Sequence, residues 1–494
     1  MHNRPVIAGV PVATRAWAGL AVVAAAAFVV TLDTMVLYVA FGDIRRDFRD
    51  VTAASLSWIL SGYTIVIAAG MIGAGQWADR LGRRRVFLVG MAIFTVGSAI
   101  CAAAPRVGVL VAGRVLQGIG AAALTPASLA LILHAFPKSR VPQAIALWGA
   151  AGALAGALGP TIGGLFVEAW GWRSVFVVNI PVGIVTAILG PRLLDESREA
   201  NRSRLPDLAG TAVITIAVVL VALGFVQSDE WGWRDPRTVG ALGGGLALVG
   251  AFVARCATVP NPVLALGLFS DPGFRWANLA QLLYGTGFTI MFFGNVQFLG
   301  GVWGYSPVRT GLAMAPGPLV VFLLAPRFGK LAGRIGHRAI LIPGGVVYAS
   351  AAMMLVSRVG EAPDYLGVWL PAVLSAGVGV AMIVPLLTSA AVAGLPSDRF
   401  ATGSAVNAAL RNIGQTLGVA IFVALAGAVH RADLLAHQRL AWWVVAASGL
   451  AVTATSWWLP TSSEGLEQSR LPRRSSSTLR QATAIGWSPQ RSES

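Results

Sequence analysis

The chain has 494 residues, 56% of them apolar and only 12% charged, with a mean hydropathy of +0.71. That charged share is about half of what a soluble protein carries, which excludes a soluble globular fold. A net charge of +16 with no soluble module to present a basic face excludes a nucleic-acid binder and asks for a membrane explanation.

Arg4 and Arg15 precede an apolar run from Ala16 to about Phe41. It is too long for a signal-peptide core and contains Asp33, so it reads as an uncleaved first span. Windows of about 20 apolar residues between polar or Gly/Pro turns place five more spans at 53–75, 84–104, 107–135, 141–166 and 173–194. A charge-rich stretch from Asp195 to Asp207 leads to two further spans at 208–227 and 237–257. After a connector from Pro260 to Asp271, six more fall at 273–300, 309–329, 338–358, 364–394, 400–429 and 440–459. The expectation is an all-α integral membrane protein with 14 spans. Its parts are a short N-terminal segment (1–15), a six-helix bundle (16–194), a linker with two additional helices (195–272), a second six-helix bundle (273–459) and a serine- and arginine-rich tail (460–494) expected to be disordered.

Lysine and arginine should concentrate in cytoplasmic loops. With the N-terminus inside, roughly 23 of the 37 basic residues fall on inside segments and roughly 11 on outside ones. Both termini are therefore expected to be cytoplasmic, in a multi-pass protein of the cell membrane.

The connector between spans 2 and 3 reads Gly75-Gln76-Trp77-Ala78-Asp79-Arg80-Leu81-Gly82-Arg83-Arg84-Arg85. A positive-inside anchor explains its arginines, but not Asp79 or the spacing of Gly75 and Gly82. Inside span 4, Arg114 opens Arg114-Val115-Leu116-Gln117-Gly118; an unpaired charge there costs about 2.5 to 3.5 kcal/mol, so it needs a partner or water. Helical spacing puts Gln117 and Gly118 on its face. Asp33 lies at mid-span, and a carboxyl group moved between a dry setting and contact with a cation changes its proton affinity. In span 5, Gly152, Gly156, Gly159, Pro160, Gly163 and Gly164 form a stripe that permits close helix approach and a kink. Arg411 is another charge inside a span or at its rim, with a cavity role and a structural role both open.

Together these signals resemble the major facilitator superfamily, and within it the 14-span drug:proton antiporter branch, over all the spans. The resemblance implies that the Gly75–Arg85 connector is a cytoplasmic gate, with Gly75, Asp79, Arg80, Gly82, Arg83 and Arg84 latching two halves. It implies proton coupling through Asp33 and Arg114, and identifies the span 5 stripe as the motif of exporters. Trp172 to Gly183 is similar to the start of span 6 in this branch. The branch usually has Asn near Tyr38 and Pro near Gly42, so Tyr38 joins Gln117 and Arg411 as a possible cavity residue. In the second half Gly329 to Arg338 echoes the connector, with Gly333 in place of the acid.

The function implied is export of amphipathic or cationic drugs, or of an antibiotic, against protons. An uptake symporter or facilitator on the same fold, and a non-transporting receptor or scaffold, are the alternatives. The run Gly118 to Ala123 fits a dinucleotide fingerprint only formally, since it lies in a membrane helix with no preceding strand. No phosphate loop occurs, and the five histidines lack metal-ligand spacing, so neither a nucleotide, a metal nor any other cofactor is expected.

Overall fold

A computed structural model describes residues 12–137, 140–198, 207–260, 262–395, 400–426 and 434–460. The expectations for the first eleven residues and for the tail beyond Pro460 lie outside the described residues.

Sixteen helices follow one another: α1 (Val12–Asp47), α2 (Ala53–Leu81), α3 (Arg83–Ala102), α4 (Val107–Ala135), α5 (Val141–Trp170), α6 (Ser174–Val177), α7 (Asn179–Leu193), α8 (Leu208–Trp231), α9 (Pro236–Thr258), α10 (Pro272–Gly301), α11 (Pro307–Met314), α12 (Pro316–Ile335), α13 (Arg338–Arg358), α14 (Leu370–Ala393), α15 (Phe400–Ala426) and α16 (Leu434–Ser456). Among the described residues no strand occurs. In lipid every backbone polar group must find its partner within the segment, and helices do this without a neighbour.

Helices α6 and α7 run on as one rod, as do α11 and α12, which break at Ala315 just before Pro316. Thirteen of the resulting rods are long and apolar enough to cross a bilayer. The fourteenth long helix, α16, has 23 residues, and its hydropathy is diluted by His437, Gln438, Arg439 and two tryptophans. It nevertheless packs on α10 and α13 with Trp442 fully buried.

The helix ends follow local chemistry. Side chains of Thr52, Asp207, Asp235, Asp271 and Ser306 accept backbone N–H groups at the starts of α2, α8, α9, α10 and α11. Gly82, Gly171, Gly232 and Gly336 end α2, α5, α8 and α12 with positive φ, where a side chain would be strained.

Helices α1 to α7 form one bundle, with α3 and α2 on α4, α5 on α1, and α7 on α3 and α1. Helices α10 to α16 form a second, in which α10 packs on α14, α15 and α16, while α13 packs on α14 and α16. The halves meet where α2 lies on α15, α5 on α11 and α12, and α1 on α10. The additional pair, α8 and α9, is attached to this seam: Val218 and Ala222 of α8 bury Ile65 of α2 beside Ile413 of α15. Arg255 Nη2 on α9 donates to Asp207 Oδ1 at 2.7 Å and ties the pair together at its end.

Candidate functional site

Between the halves lies a cavity of about 500 Å³. Its walls are mostly apolar, from Val30, Met71 and Leu124 on one side to Phe288, Met291 and Val380 on the other. On α4 the lining runs from Ala121 to Ser128 and on α5 from Trp148 to Gly156, so the space extends from mid-length toward the end of the bundle that carries the Gly82 turn. Tyr284, Phe288 and Phe292 recur every fourth residue along α10, presenting an aromatic ladder with centroid spacings of 5.7 and 5.8 Å.

The opposite end is closed by helix contact. A Cβ added to Gly159 would stand 2.5 Å from Met35 Cβ, and one on Gly163 would stand 2.9 Å from Val36 Cγ1. A Cβ on Gly164 would collide with the carbonyl oxygen of Pro307, and one on Gly311 with that of Pro160. Glu168 Oε2 accepts from the backbone N–H of Val308 across the same contact at 3.3 Å. Beside it, Phe41 meets Phe293 edge to face at 5.1 Å and Tyr38 leans on Phe292 and Phe293. The stripe read from the sequence therefore divides. Gly159, Pro160, Gly163 and Gly164 are buried packing residues, whereas Gly152 and Gly156 line the cavity and a Cβ on Gly156 would meet nothing within 4 Å.

Asp33 and Arg114 are brought together inside the first bundle. Arg114 Nη1 donates to Asp33 Oδ2 at 2.5 Å, and each side chain is 1% exposed. Asp33 Oδ1 also accepts from Asn179 Nδ2 at 2.8 Å and from Gln117 Nε2 at 3.2 Å. Ser98 Oγ receives the same two amides and donates to Phe94 O. Arg114 is held from the other side by Ile59 O, accepting from Nε at 3.1 Å, and lies 3.9 Å from the centroid of the Tyr63 ring. A buried ion pair persists only where hydrogen bonds satisfy the remaining polar atoms, and four helices supply them here.

This cluster does not line the cavity. Thr31, Thr34 and Met35 of α1 do, while Asp33 faces into the bundle; Tyr63 is shared, since Arg114 lies over its ring and the residue also lines the cavity. Gln117, expected as a possible cavity residue, is fully buried in the Asp33 cluster, because the helical face that it shares with Arg114 points into the bundle. Tyr38, the second such residue, sits in the aromatic closure. Arg411, the third, lines the cavity.

The Gly75–Arg85 connector is a sharp turn at Gly82, with φ of 114°. Glu196, just beyond α7, accepts the backbone N–H groups of Arg84 at 3.1 Å and Arg85 at 3.2 Å, and so caps α3. Arg84 Nη1 in turn donates to Pro191 O and Leu194 O at the end of α7. Gly75 faces Pro126 of α4 and Arg80 is exposed. These contacts of Gly75, Gly82 and Arg84 lie within the first bundle; the Asp79 side chain lies outside the described residues. Glu196, Ser98 and Tyr63 carry no signal in the sequence, where nothing distinguishes a single carboxylate in a polar connector or a serine or tyrosine in a helix; Asn179 is marked only as part of the Trp172–Gly183 run, with no role attached.

Against known proteins, the family model described as Major Facilitator Superfamily matches residues 23–419. The chain is 33% identical to multidrug resistance protein Stp of Mycobacterium tuberculosis (strain CDC 1551 / Oshkosh) over 84% of its own length and 76% of that protein's. It is 33% identical to the cephamycin export protein CmcT of Amycolatopsis lactamdurans, over 88% of this chain and 90% of the other. Among solved structures, an inward-open, partially occluded conformation of the xylose transporter XylE from E. coli superposes with a TM-score of 0.62 at 13% identity, covering 90% of this chain and 98% of that one.

Proposed function

The chain belongs to the Major Facilitator Superfamily, and from that membership we propose that it exports amphipathic drugs or an antibiotic across the cytoplasmic membrane in exchange for protons. It is a multi-pass membrane transporter. Relatives at about this level of identity are named for multidrug resistance and for antibiotic export, which supports the direction of transport. The orientation that agrees with the lysine and arginine distribution puts the Gly82 turn and both termini in the cytoplasm, so the cavity faces the cytoplasm and the glycine-packed closure faces outward.

One observation carries the coupling: a carboxylate and a guanidinium, both buried, are packed directly behind the cavity wall, with Arg114 lying over the ring of Tyr63, a residue of that wall. Asp33 as a carboxylate holds Arg114, Gln117 and Asn179 and so binds α1 to α4 and α7. Protonation removes the charge that Arg114 answers, and α1 and α4 are then free to shift against one another. Because Thr31 and Thr34 beside Asp33 form cavity wall, that shift is felt by bound cargo, and cargo in turn biases the proton affinity of Asp33. The protein's remaining work is the exchange of one closed end for the other by rocking of the two bundles.

Inverted vesicles containing the protein, energised with a pH gradient, test the reading. Uptake of drug-like dyes that collapses on addition of a protonophore is expected. Gradient-independent equilibration, or uptake only in right-side-out vesicles, would instead favour a facilitator or an uptake symporter.

A further inference from the structure

Among the described residues lining the cavity Arg411 is the only one with a formal charge; none of them is aspartate, glutamate, lysine or histidine. Arg411 has no carboxylate partner among the described residues. A guanidinium in the membrane interior is costly unless a counter-charge or water reaches it, and such residues mark the path of a ligand. Around it stand groups that are equally unanswered. The hydroxyls of Tyr284 and Tyr348 are buried without a hydrogen-bond partner among the described residues, and both rings line the cavity, 5.8 Å apart. Gly285 allows the approach: a Cβ there would stand 2.7 Å from Arg411 O, so α15 lies directly on α10 beside Tyr284.

We infer that the cargo is an organic acid with an aromatic body, its carboxylate or enolate seated on Arg411 and the Tyr284 and Tyr348 hydroxyls and its rings stacked along Phe288 and Phe292. A guanidinium fork matches two acid oxygens, and the phenolic O–H groups donate to what remains. Cationic cargo finds no counter-charge among the described lining residues, in contrast to the cationic class the sequence allowed. The inference rests on the cavity being the transport site of the exporter proposed above.

Three xanthene dyes of one ring system provide the test: anionic fluorescein, its neutral methyl ether methyl ester and the corresponding cationic rhodamine. Binding to the purified full chain in nanodiscs is read by fluorescence anisotropy. Fluorescein is expected to bind about tenfold more tightly than the rhodamine, the worth of one buried hydrogen-bonded charge. The preference for fluorescein over the neutral ester should collapse toward unity in Arg411→Gln and survive in part in Arg411→Lys. Equal or tighter binding of the rhodamine by the wild-type chain, or an unchanged preference in Arg411→Gln, would overturn the inference. Flux separates the two readings: fluorescein preference without protonophore-sensitive uptake in vesicles upholds the acid site and sinks export, whereas driven uptake of the rhodamine alone does the reverse.

Discussion

Asp33 and Arg114 form an ion pair 2.5 Å long that is buried in the first bundle, with Arg114 lying over the ring of Tyr63, a residue of the cavity wall. In the coupling proposed above, an acid so placed would act on cargo through the wall rather than by contact. Asp33→Asn keeps an acceptor for Arg114 but removes the charge, and turns an amide N–H₂ toward the Asn179 and Gln117 donors. Uphill uptake driven by a pH gradient should fall more than tenfold, while cargo counterflow without a gradient persists, because the wall is intact. Arg114→Ala leaves the carboxylate buried without its cation, and should cost about 3–5 kcal/mol of stability, read as loss of a cooperative melting transition. Full uphill transport by Asp33→Asn would remove this pair from the coupling.

The same pair shows what sequence can and cannot disclose. Charges inside apolar spans are rare enough that Asp33 and Arg114 stand out, and the spacing of three residues correctly puts Gln117 beside Arg114. Periodicity fixes relative faces within one helix but not which way the shared face points, so Gln117 is in the bundle and not the cavity. Asn179 is 146 residues from Asp33, and a single asparagine at the start of an apolar helix carries no local mark of that meeting. The order of helices was legible because lipid imposes length and hydropathy on each; the breaks at Val178 and Ala315 fall within continuous apolar spans and so were not.

The span 5 glycines should separate by experiment. Gly164→Ala pushes a methyl group into the Pro307 carbonyl, an overpacking worth about 1–3 kcal/mol against the glycine-packed closed end. Spin labels placed on α5 and α11 at that end should report longer distances in Gly164→Ala. Gly156→Leu, by contrast, fills cavity space; the same distances should hold, and affinity for the bulkiest cargo should drop several-fold. Identical effects of the two substitutions on the label distances would refute this division of the stripe.

Glu196 and Gly82 form one turn. Glu196→Ala uncovers the first N–H groups of α3 and should lower stability by about 1 kcal/mol, the usual worth of an N-terminal cap. Gly82→Ala adds strain at a positive φ and places a methyl 2.6 Å from Glu196 Oε1. The double variant should be less destabilised than the sum of the two, since removing the carboxylate relieves the clash, and a thermal melt of all four proteins reads the coupling. Strict additivity would mean that Glu196 does not sit on Gly82 in the folded protein.

Asp207 offers a pH signature. Hydrogen bonds from Arg255, and a smaller contribution from the Gly210 N–H, hold its carboxyl below the ordinary carboxylate value against the opposing effect of burial. A depressed acid contributes stability that is present above its unfolded pKa of about 4 and lost as pH falls through the lower folded value. The gap in melting temperature between the wild type and Asp207→Asn should therefore be constant from about pH 5 to pH 8, worth about 1–3 kcal/mol, and close only in strong acid. A gap that changes around neutral pH would show another titrating group at this clasp.

Acidic cargo on Arg411 has an energetic consequence that cationic cargo lacks. For exchange of one inward proton against one outward monoanion, two positive charges move inward in effect, and each gains about 2.3 kcal/mol per 100 mV. Adding about 1.4 kcal/mol for one pH unit gives a driving force near 6 kcal/mol at 100 mV, compared with about 1.4 kcal/mol for a monocation, whose exit cancels the proton's charge. Transport should therefore respond more strongly to membrane potential than to pH. In proteoliposomes with a potassium diffusion potential set by valinomycin and no pH difference, uphill movement of an anionic dye should persist, and that of a cationic dye should vanish. Indifference of anionic dye transport to the potential would mean that the acid crosses in neutral form or that another ion accompanies it.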